Sequence, residues 1–337
     1  MVYENLSKTI LEMDGIIKPI YIDVKDSGGT GLCNASLLYN DGKLIMILRN
    51  VEYTLHCCEG EQKYQTCFEG PLSYYHKDND LKLRTNNFYC ELDEETLKVE
   101  KYNKIDTSKL DKNPVWNFIG LEDARLVYWD KKYYAIGVRR DTKTNGQGRM
   151  EFSELEIDKN SVKEISRSRI EVENKESYCE KNWMPIKSKP FHFVKWTNPT
   201  EVIKVDLENK IANQVYISKN IINLPFDLRG GSQLIDWYDN TYLAIVHECK
   251  FVLKNFNGYK DADYFHRFII WNSDWSIHYI SEPFNFMSAK VEFCTGLEEV
   301  DNNIIISFGF QDNACYAIKL LKNNLNQLIW KTLKNVL

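Results

Sequence analysis

Residues 120–140 read GLEDARLVYWDKKYYAIGVRR, and this stretch predicts a β-hairpin. Apolar and aromatic residues fill both arms, and the polar run from Trp129 to Lys132 joins them. Charged residues stand at the start of the first arm and at the end of the second: Glu122, Asp123, Arg125, Arg139 and Arg140. In an antiparallel pair these two ends lie side by side, so the charges are expected at one edge of the sheet.

The same unit recurs along the chain as a polar cluster, two apolar arms around a turn, and two further strands. Another clear copy spans Asn34 to Arg49, whose arms flank an Asn-Asp-Gly sequence typical of hairpin turns. The units are predicted to begin at Asn34, Asp123, Asn182, Ser232 and Glu292. Long periods with four strands each are typical of a β-propeller.

These repeats predict an all-β fold, a five-bladed β-propeller, with residues 1–337 forming a single catalytic domain. Residues 1–30 are an N-terminal extension that supplies either a closing strand or a helix. Leu328 to Thr332 is expected to be the last strand of the final unit. The polar stretch 52–82 is expected to be a long loop.

Composition limits the class of protein. The 337 residues are 43% hydrophobic and 27% charged, which is typical of a soluble globular chain. The net charge of −5, without a basic block, argues against nucleic acid as a partner. The best candidate for a membrane-spanning run, Ile304 to Phe310, is only as long as a strand and too short to span a membrane. Nine cysteines without a C-x-x-C pair or an export signal predict free thiols, a cytoplasmic location and no metal site.

The innermost strands of a propeller surround an axis, and their ends open on one face. The five repeats place ten polar residues there: Asn34 and Arg49, Asp123 and Arg139, Lys181 and Lys195, Ser232 and His247, and Glu292 and Asp312. A solvated surface cluster is the simpler interpretation of any one pair. Five units in register favour a binding concavity instead.

The motif Glu122-Asp123-Ala124-Arg125 resembles the Glu-Asp-Pro-Arg motif of glycoside hydrolase family 130, five-bladed propellers that phosphorolyse or hydrolyse β-mannosides. It also resembles the related β-1,2-mannosyltransferases and phosphorylases of glycosyltransferase family 108. Further short matches follow in the same order: Asn34 with Arg49, Val246-His247 followed by Tyr264, Ser281 to Phe284, and Phe308 to Asp312. Ala124 replaces the usual proline and residues 180–183 match only loosely, so the sugar and the acceptor can differ from mannose.

The resemblance implies roles for individual residues. Asp123 takes the place of the general acid. Residues expected at the sugar are Asn34, Arg49, Glu122, Arg125, Asn182, Glu292 and Asp312. Residues expected at a phosphate or donor group are Arg139, Arg140, Lys181, His247 and Tyr264.

The implied reaction is inverting glycosyl transfer, by a glycoside phosphorylase or a glycosyltransferase, on a carbohydrate that resembles a β-mannoside. No cofactor is expected beyond phosphate, or a phosphorylated or nucleotide sugar, as co-substrate. One alternative is an inverting glycoside hydrolase with Glu122, Glu248 or Glu292 as base. The other is a non-catalytic propeller that binds glycans or proteins. The sequence carries no signal for the oligomeric state.

Overall fold

The computed structural model describes residues 3–56, 73–75, 82–224, 227–252 and 261–335. Strands dominate this part of the chain, so the prediction of an all-β fold is confirmed. The helices described here are Leu6–Glu12, Val24–Ser27 and Lys322–Thr332, with a 3-10 turn at Tyr238–Asn240. Most of the predicted loop 52–82 lies outside the described residues.

The longer strands of the described chain form five groups with antiparallel pairing, here called units and numbered in chain order. Units 1 and 2 join into one nine-stranded sheet, because Val162 and Lys163 pair in parallel with Ile105 and Asp106. Unit 1 contains Gly31–Asn40, Lys43–Val51, Leu83–Leu92 and Val99–Asp106; unit 2 contains Leu121–Trp129, Lys132–Arg139, Arg149–Ile157 and Val162–Arg169; unit 3 contains Met184–Pro185, His192–Trp196, Glu201–Asp206 and Ile211–Ile217. Unit 4 contains Leu228–Arg229 with Ile235–Asp236, then Tyr242–Val252, Asp261–Trp271 and Ile277–Ser281; unit 5 contains Glu292–Val300, Asn303–Phe310, Ala314–Leu321 and Ile16–Ile20. Short strands at the unit edges and in connections are Tyr3–Glu4, Thr54–His56, Ser73–Tyr75, Phe118–Ile119, Glu171–Val172, Phe284–Asn285 and Leu333–Asn335.

The N-terminal extension supplies both a strand and a helix. Ile16–Ile20 pairs antiparallel with Ala314–Leu321, so the beginning of the chain completes the last unit. This pairing covers an edge that would otherwise expose its backbone groups. The helix Leu6–Glu12 begins at Asn5, whose side chain accepts a hydrogen bond from the backbone N–H of Lys8 at 3.0 Å.

The last predicted strand is wrong, because Leu328 to Thr332 lies in the helix Lys322–Thr332. Leu325, Leu328 and Ile329 are fully buried in the core of units 4 and 5. Their spacing of three and four residues places them on one face of a helix. The spacing of the apolar residues in this stretch therefore indicates a helix rather than a strand.

The first strands of the units are tied to one another by buried hydrogen bonds. In unit 4, Gln233 donates from Nε2 to the carbonyl of Leu37 in unit 1, at 2.8 Å, and its Oε1 accepts from the N–H of Leu297 in unit 5, at 3.2 Å. The hydroxyl of Ser36 accepts from the N–H of Leu126 in unit 2, at 3.1 Å. The first strands therefore gather in the middle of the molecule, which brings the polar residues at their starts together.

Ile10 should be essential to the fold, because its side chain projects from the N-terminal helix and is fully buried against units 4 and 5. We expect Ile10→Ala to lower the free energy of unfolding by about 2–5 kcal/mol, since it leaves a cavity. The adjacent Leu11 is 57% exposed, and Leu11→Ala should change that free energy by less than about 0.5 kcal/mol. Urea unfolding measures both variants. Equal losses would show that the helix does not pack as described.

Candidate active site

Asp123 stands on a β-bulge at the start of the first strand of unit 2. The pairing of that strand with the second shifts register between Glu122 and Arg125, and Asp123 has φ of 51°. Asn34 occupies the matching place in unit 1, with a φ of 46°. Aspartate and asparagine tolerate this left-handed conformation better than most residues, and a bulge re-aims the side chain it carries. The local backbone therefore turns both side chains out of the sheet pattern.

The carboxylate of Asp123 is the centre of a buried hydrogen-bond group. Its Oδ1 accepts hydrogen bonds from Nη1 of Arg49 and from Nδ2 of Asn34, each at 2.8 Å. Asn34 Nδ2 also lies 3.4 Å from Oδ1 of Asp312, at the end of unit 5. A second nitrogen of Arg49 donates to the hydroxyl of Tyr53 at 2.9 Å. The structure thus brings together Asn34, Arg49, Asp123 and Asp312, as the sequence predicted.

The three carboxyl groups in this region have different proton affinities. Burial alone would raise the pKa of Asp123, but the Arg49 guanidinium and the Asn34 hydrogen bond together lower it below its usual value. Burial raises the pKa of Asp312, and the nearby charge of Asp123 raises it further. Burial also raises the pKa of Glu122, against the opposing effect of Arg49. Asp123 is therefore the carboxyl group of the three that most readily stays ionised.

Arg125 holds the backbone around Asp123 rather than facing the same opening. Its fully buried guanidinium donates to the carbonyl of Gly231 at 2.7 and 3.1 Å, and to the carbonyl of Asp123 at 2.8 Å. Burial lowers the pKa of Arg125 to about 10. This side chain links units 2 and 4 beneath the bulge.

Two neighbouring side chains hold the peptide groups that precede Asp123. Asp141 Oδ2 accepts from the N–H of Gly120, and Asn87 Nδ2 donates to the carbonyl of Leu121, both at 2.9 Å. Gly120 has φ of 99°, and a Cβ there would lie 2.3 Å from the carbonyl oxygen of Thr85. Only glycine fits this close approach. The segment that carries Asp123 is therefore fixed from both sides.

Basic residues surround the carboxylates. The exposed ammonium of Lys181 lies close enough to lower the pKa of Asp123, Asp312 and His247. Arg140 lies near Glu122, with its guanidinium 4.8 Å from the centre of the Phe118 ring. These cations give one side of the site a positive potential.

His247 is buried and neutral. Its Nδ1 lies 3.0 Å from the carbonyl of Gly230, and its ring stacks on Tyr264 at 5.2 Å. Burial, followed by the charges of nearby groups including Arg229, lowers the pKa of His247 well below its usual value. Because Nδ1 donates to a carbonyl, Nε2 is left as an acceptor.

Arg229 was missed by the sequence prediction. It lies opposite His247 in the strand pairing of unit 4, and its positive charge contributes to the lowered pKa of His247. Its position directly before Gly230-Gly231, in the polar cluster of a unit, was the available signal.

Arg139 is not brought to the Asp123 group. Its guanidinium lies 2.9 Å from Glu151 and 3.4 Å from Asp141, and its side chain is almost fully buried. Lys195 likewise lies 3.3 Å from Glu201, within unit 3. Both basic side chains are used in ion pairs within or beside their own unit.

The carboxylate of Glu292 binds backbone groups of the segment that precedes it. Its carboxylate accepts the backbone N–H groups of Phe286, Met287 and Ala289 at 2.5, 2.7 and 2.9 Å. Asn182 has φ of 61°, like Asn34 and Asp123, and its Oδ1 is buried without a hydrogen-bond partner. Asn182 can therefore accept a hydrogen bond from a ligand, whereas the oxygens of Glu292 are already bound.

Among the described residues, no group of three or more His, Cys, Asp or Glu could hold a metal ion. In the same part of the chain, no helix has the length and apolar character needed to cross a membrane. The six described cysteines are all free thiols: Cys33, Cys90, Cys179, Cys249, Cys294 and Cys315.

Solved structures with a similar fold include the β-1,2-mannobiose phosphorylase from Listeria innocua, with a TM-score of 0.53, 11% identity and 93% of each chain covered. The chain has the fold of β-mannoside-active enzymes. Another similar structure comes from work on glycoside hydrolases of the GH130 mannoside phosphorylase family that target β-1,2 linkages in Candida mannan; its TM-score is 0.55, with 10% identity, 87% of this chain and 85% of that chain covered. The resemblance to glycoside hydrolase family 130 read from the sequence is thus confirmed at the level of the fold. Comparisons with protein-family models and with curated proteins give no match.

The ion pair between Arg49 and Asp123 gives a prediction about proton affinity. Arg49→Gln should raise the pKa of Asp123, because it removes the charge that most strongly favours the carboxylate. Carbon-13 NMR of the aspartate carboxyl groups over a pH series measures this, with the Asp123 signal assigned by its absence from Asp123→Asn. Lys43→Gln, at an exposed ion pair with Glu91, is the control and should leave the Asp123 titration unchanged. An unchanged titration in Arg49→Gln would contradict the described pairing.

Proposed function

We propose that this chain catalyses inverting glycosyl transfer on a carbohydrate resembling a β-mannoside, using phosphate or a phosphorylated or nucleotide sugar as co-substrate. Asp123 acts as the general acid or base. The observation that carries the proposal is the Asp123 carboxylate, held by Arg49 and Asn34 and near enough to Lys181 for that charge to help lower its pKa. The similar fold of β-mannoside enzymes supports the same substrate class.

The proposal includes the arrangement of the five units as blades of a five-bladed propeller. The hydrogen bonds among their first strands and the closing of unit 5 by Ile16–Ile20 support it. In this arrangement the starts of the first strands surround one opening. A single domain then presents the substrate with groups from several blades.

In the proposed phosphorolysis, an oxygen of phosphate forms a bond to the anomeric carbon as the glycosidic C–O bond breaks on the opposite face. The departing sugar oxygen takes a proton from Asp123, directly or through a sugar hydroxyl. Phosphate is already anionic, so it needs positioning rather than activation by a base. Lys181, Arg140 and Arg229 supply that positioning, and Nε2 of the neutral His247 can accept the hydrogen of a protonated phosphate oxygen.

The lowered pKa of Asp123 keeps its carboxylate ionised, which is the form that the reverse of this reaction needs. An ionised carboxylate is a general base, which takes the proton of an acceptor hydroxyl as that oxygen attacks the anomeric carbon of the donor. The phosphate or nucleoside diphosphate then leaves as an anion toward the cations. The ionised carboxylate is thus in the form that transfer from a phosphorylated donor to an acceptor requires, while the supply of substrates and products sets the net direction.

Hydrolysis is the competing reaction, and it requires a carboxylate base for water. Glu248 contacts the guanidinium of Arg267, and Glu292 accepts three backbone N–H groups. Of the three bases considered, Glu122 alone has no such contact among the described residues, so hydrolysis would depend on this one carboxyl group. This distribution of contacts supports transfer over hydrolysis.

We infer a cytoplasmic location as well, because the six described thiols are unpaired. No cofactor other than the phosphorylated co-substrate is proposed.

Asp123→Asn should lower turnover at least about a hundredfold, the usual contribution of general acid–base catalysis, while leaving the fold intact. Turnover is measured with an unactivated glycoside and phosphate, and in the reverse direction with a sugar phosphate and an acceptor. Asp130→Asn, in the exposed turn of the hairpin, is the matched control and should retain the wild-type rate. A near wild-type rate in Asp123→Asn would show that another group transfers the proton.

Lys181→Gln should weaken binding of phosphate, mannose 1-phosphate or GDP-mannose about 10- to 100-fold, since a charge-assisted hydrogen bond is lost. Binding of a neutral sugar acceptor should change much less. Titration calorimetry measures both, with Lys131→Gln in the exposed turn as the control. If the wild type binds none of the phosphorylated compounds and releases reducing sugar in water alone, the hydrolase takes the place of the transferase.

A further inference from the structure

A concavity lies between units 1 and 2, and Gly120 and Leu121, just before Asp123, form part of its lining. Its volume is about 790 Å³, and its walls include residues 84–87, the connecting segment 110–115, Arg139, Asp141, Thr142, Glu164 and Arg167. Ligand pockets usually have volumes of about 300–1,000 Å³. This concavity, here called the side cleft, is therefore large enough for a monosaccharide or a larger ligand.

The side cleft is lined by ion pairs, and all of their side chains except that of Asp111 are largely buried. The carboxylate of Glu164 contacts Arg167 and accepts the hydroxyl hydrogen of Ser153, and Arg167 also lies 3.0 Å from Asp111. Asp141 lies 3.4 Å from Arg139. Such charges are costly to bury, and the cost is smaller beside a polar or solvated cavity. The three acidic side chains that line the cleft are thus all paired with arginines.

The remaining charge in the lining is positive. The lining contains six basic and three acidic side chains, on a chain whose net charge is −5. Lys104 and Lys112, both exposed, form no ion pair with any residue that the structure describes. A concavity lined by an excess of one charge attracts ligands of the opposite sign. The side cleft therefore favours an anionic ligand over a neutral one.

We propose that the side cleft is a second ligand site, which binds a sugar carrying a phosphate group. Lys104 and Lys112 contact the phosphate, while exposed polar side chains such as Asn113 and Thr142 are available to the sugar hydroxyls. The volume favours a sugar phosphate over phosphate alone. The inference does not depend on the proposed chemistry at Asp123, because the binding groups are different.

The site also has a physical connection to Asp123. Asp141, in the cleft wall, accepts the N–H of Gly120, three residues before Asp123, and Thr85 contacts the guanidinium of Arg49 at 3.2 Å. A ligand in the side cleft would therefore lie against the groups that position the candidate catalytic carboxylate.

Hydrogen exchange followed by mass spectrometry tests the proposal on the full chain, with mannose 6-phosphate, mannose and inorganic phosphate as probes. Mannose 6-phosphate should slow exchange in peptides covering residues 104–115, and inorganic phosphate should do so more weakly. The double variant Lys104→Glu/Lys112→Glu should weaken the apparent affinity for mannose 6-phosphate at these peptides about 10- to 100-fold. Lys98→Glu/Lys109→Glu makes the same change of charge at exposed lysines outside the lining and should bind as the wild type does.

Equal protection of residues 104–115 by mannose would overturn the proposal, because the lysines would then have no role in recognition. Equal protection by inorganic phosphate would overturn the assignment of a sugar. An equal loss of affinity for mannose 6-phosphate in the two double variants would also overturn the proposal, because the loss would then reflect the overall charge of the protein. Protection limited to peptides around Asp123 would remove the side cleft as a site and leave the proposed function standing.

Discussion

The pairing of Arg49 with Asp123 is the interaction on which the site depends. It joins units 1 and 2 through buried groups, at 2.8 Å, and it keeps a carboxylate ionised where burial alone would favour the proton. The bulges at Asn34 and Asp123 make the contact geometrically available. Without the bulges, the regular alternation of side chains along each strand would decide where these groups point. The same local distortion therefore sets both the position and the proton affinity of Asp123.

Around this pair, the molecule separates groups that hold structure from groups that are open to a ligand. Arg125, Asp141 and Asn87 bond to backbone atoms on either side of Asp123, so they fix its segment. Lys181 is exposed and acts on several carboxylates, which is the arrangement that an anionic ligand requires. Preorganised charges of this kind need little rearrangement when charge develops during a reaction. In the proposed reaction, these charges would stabilise the leaving or attacking phosphate.

Much of this could be predicted from the sequence, because hairpins with apolar arms and polar turns identify strands and their register. Repetition of the unit placed Asn34, Arg49, Asp123 and Asp312 at equivalent ends, and they do meet. The ion-pair partner of Arg139 could not be predicted. That partner, Glu151, lies on the next strand, and which carboxylate Arg139 contacts depends on three-dimensional packing. Glu292 was misleading for a related reason: three backbone N–H groups of a preceding loop bind its carboxylate, and no local pattern encodes that contact.

The most direct test of the account is the stereochemistry and phosphate dependence of the reaction, followed in real time by proton NMR. With β-1,2-mannobiose and phosphate, the account predicts mannose 1-phosphate of the α configuration, formed by inversion, with no release of mannose when phosphate is omitted. The reverse mixture, α-mannose 1-phosphate and mannose, should yield a β-linked disaccharide and free phosphate. Formation of β-mannose 1-phosphate, or release of mannose in phosphate-free buffer at a comparable rate, would contradict the account.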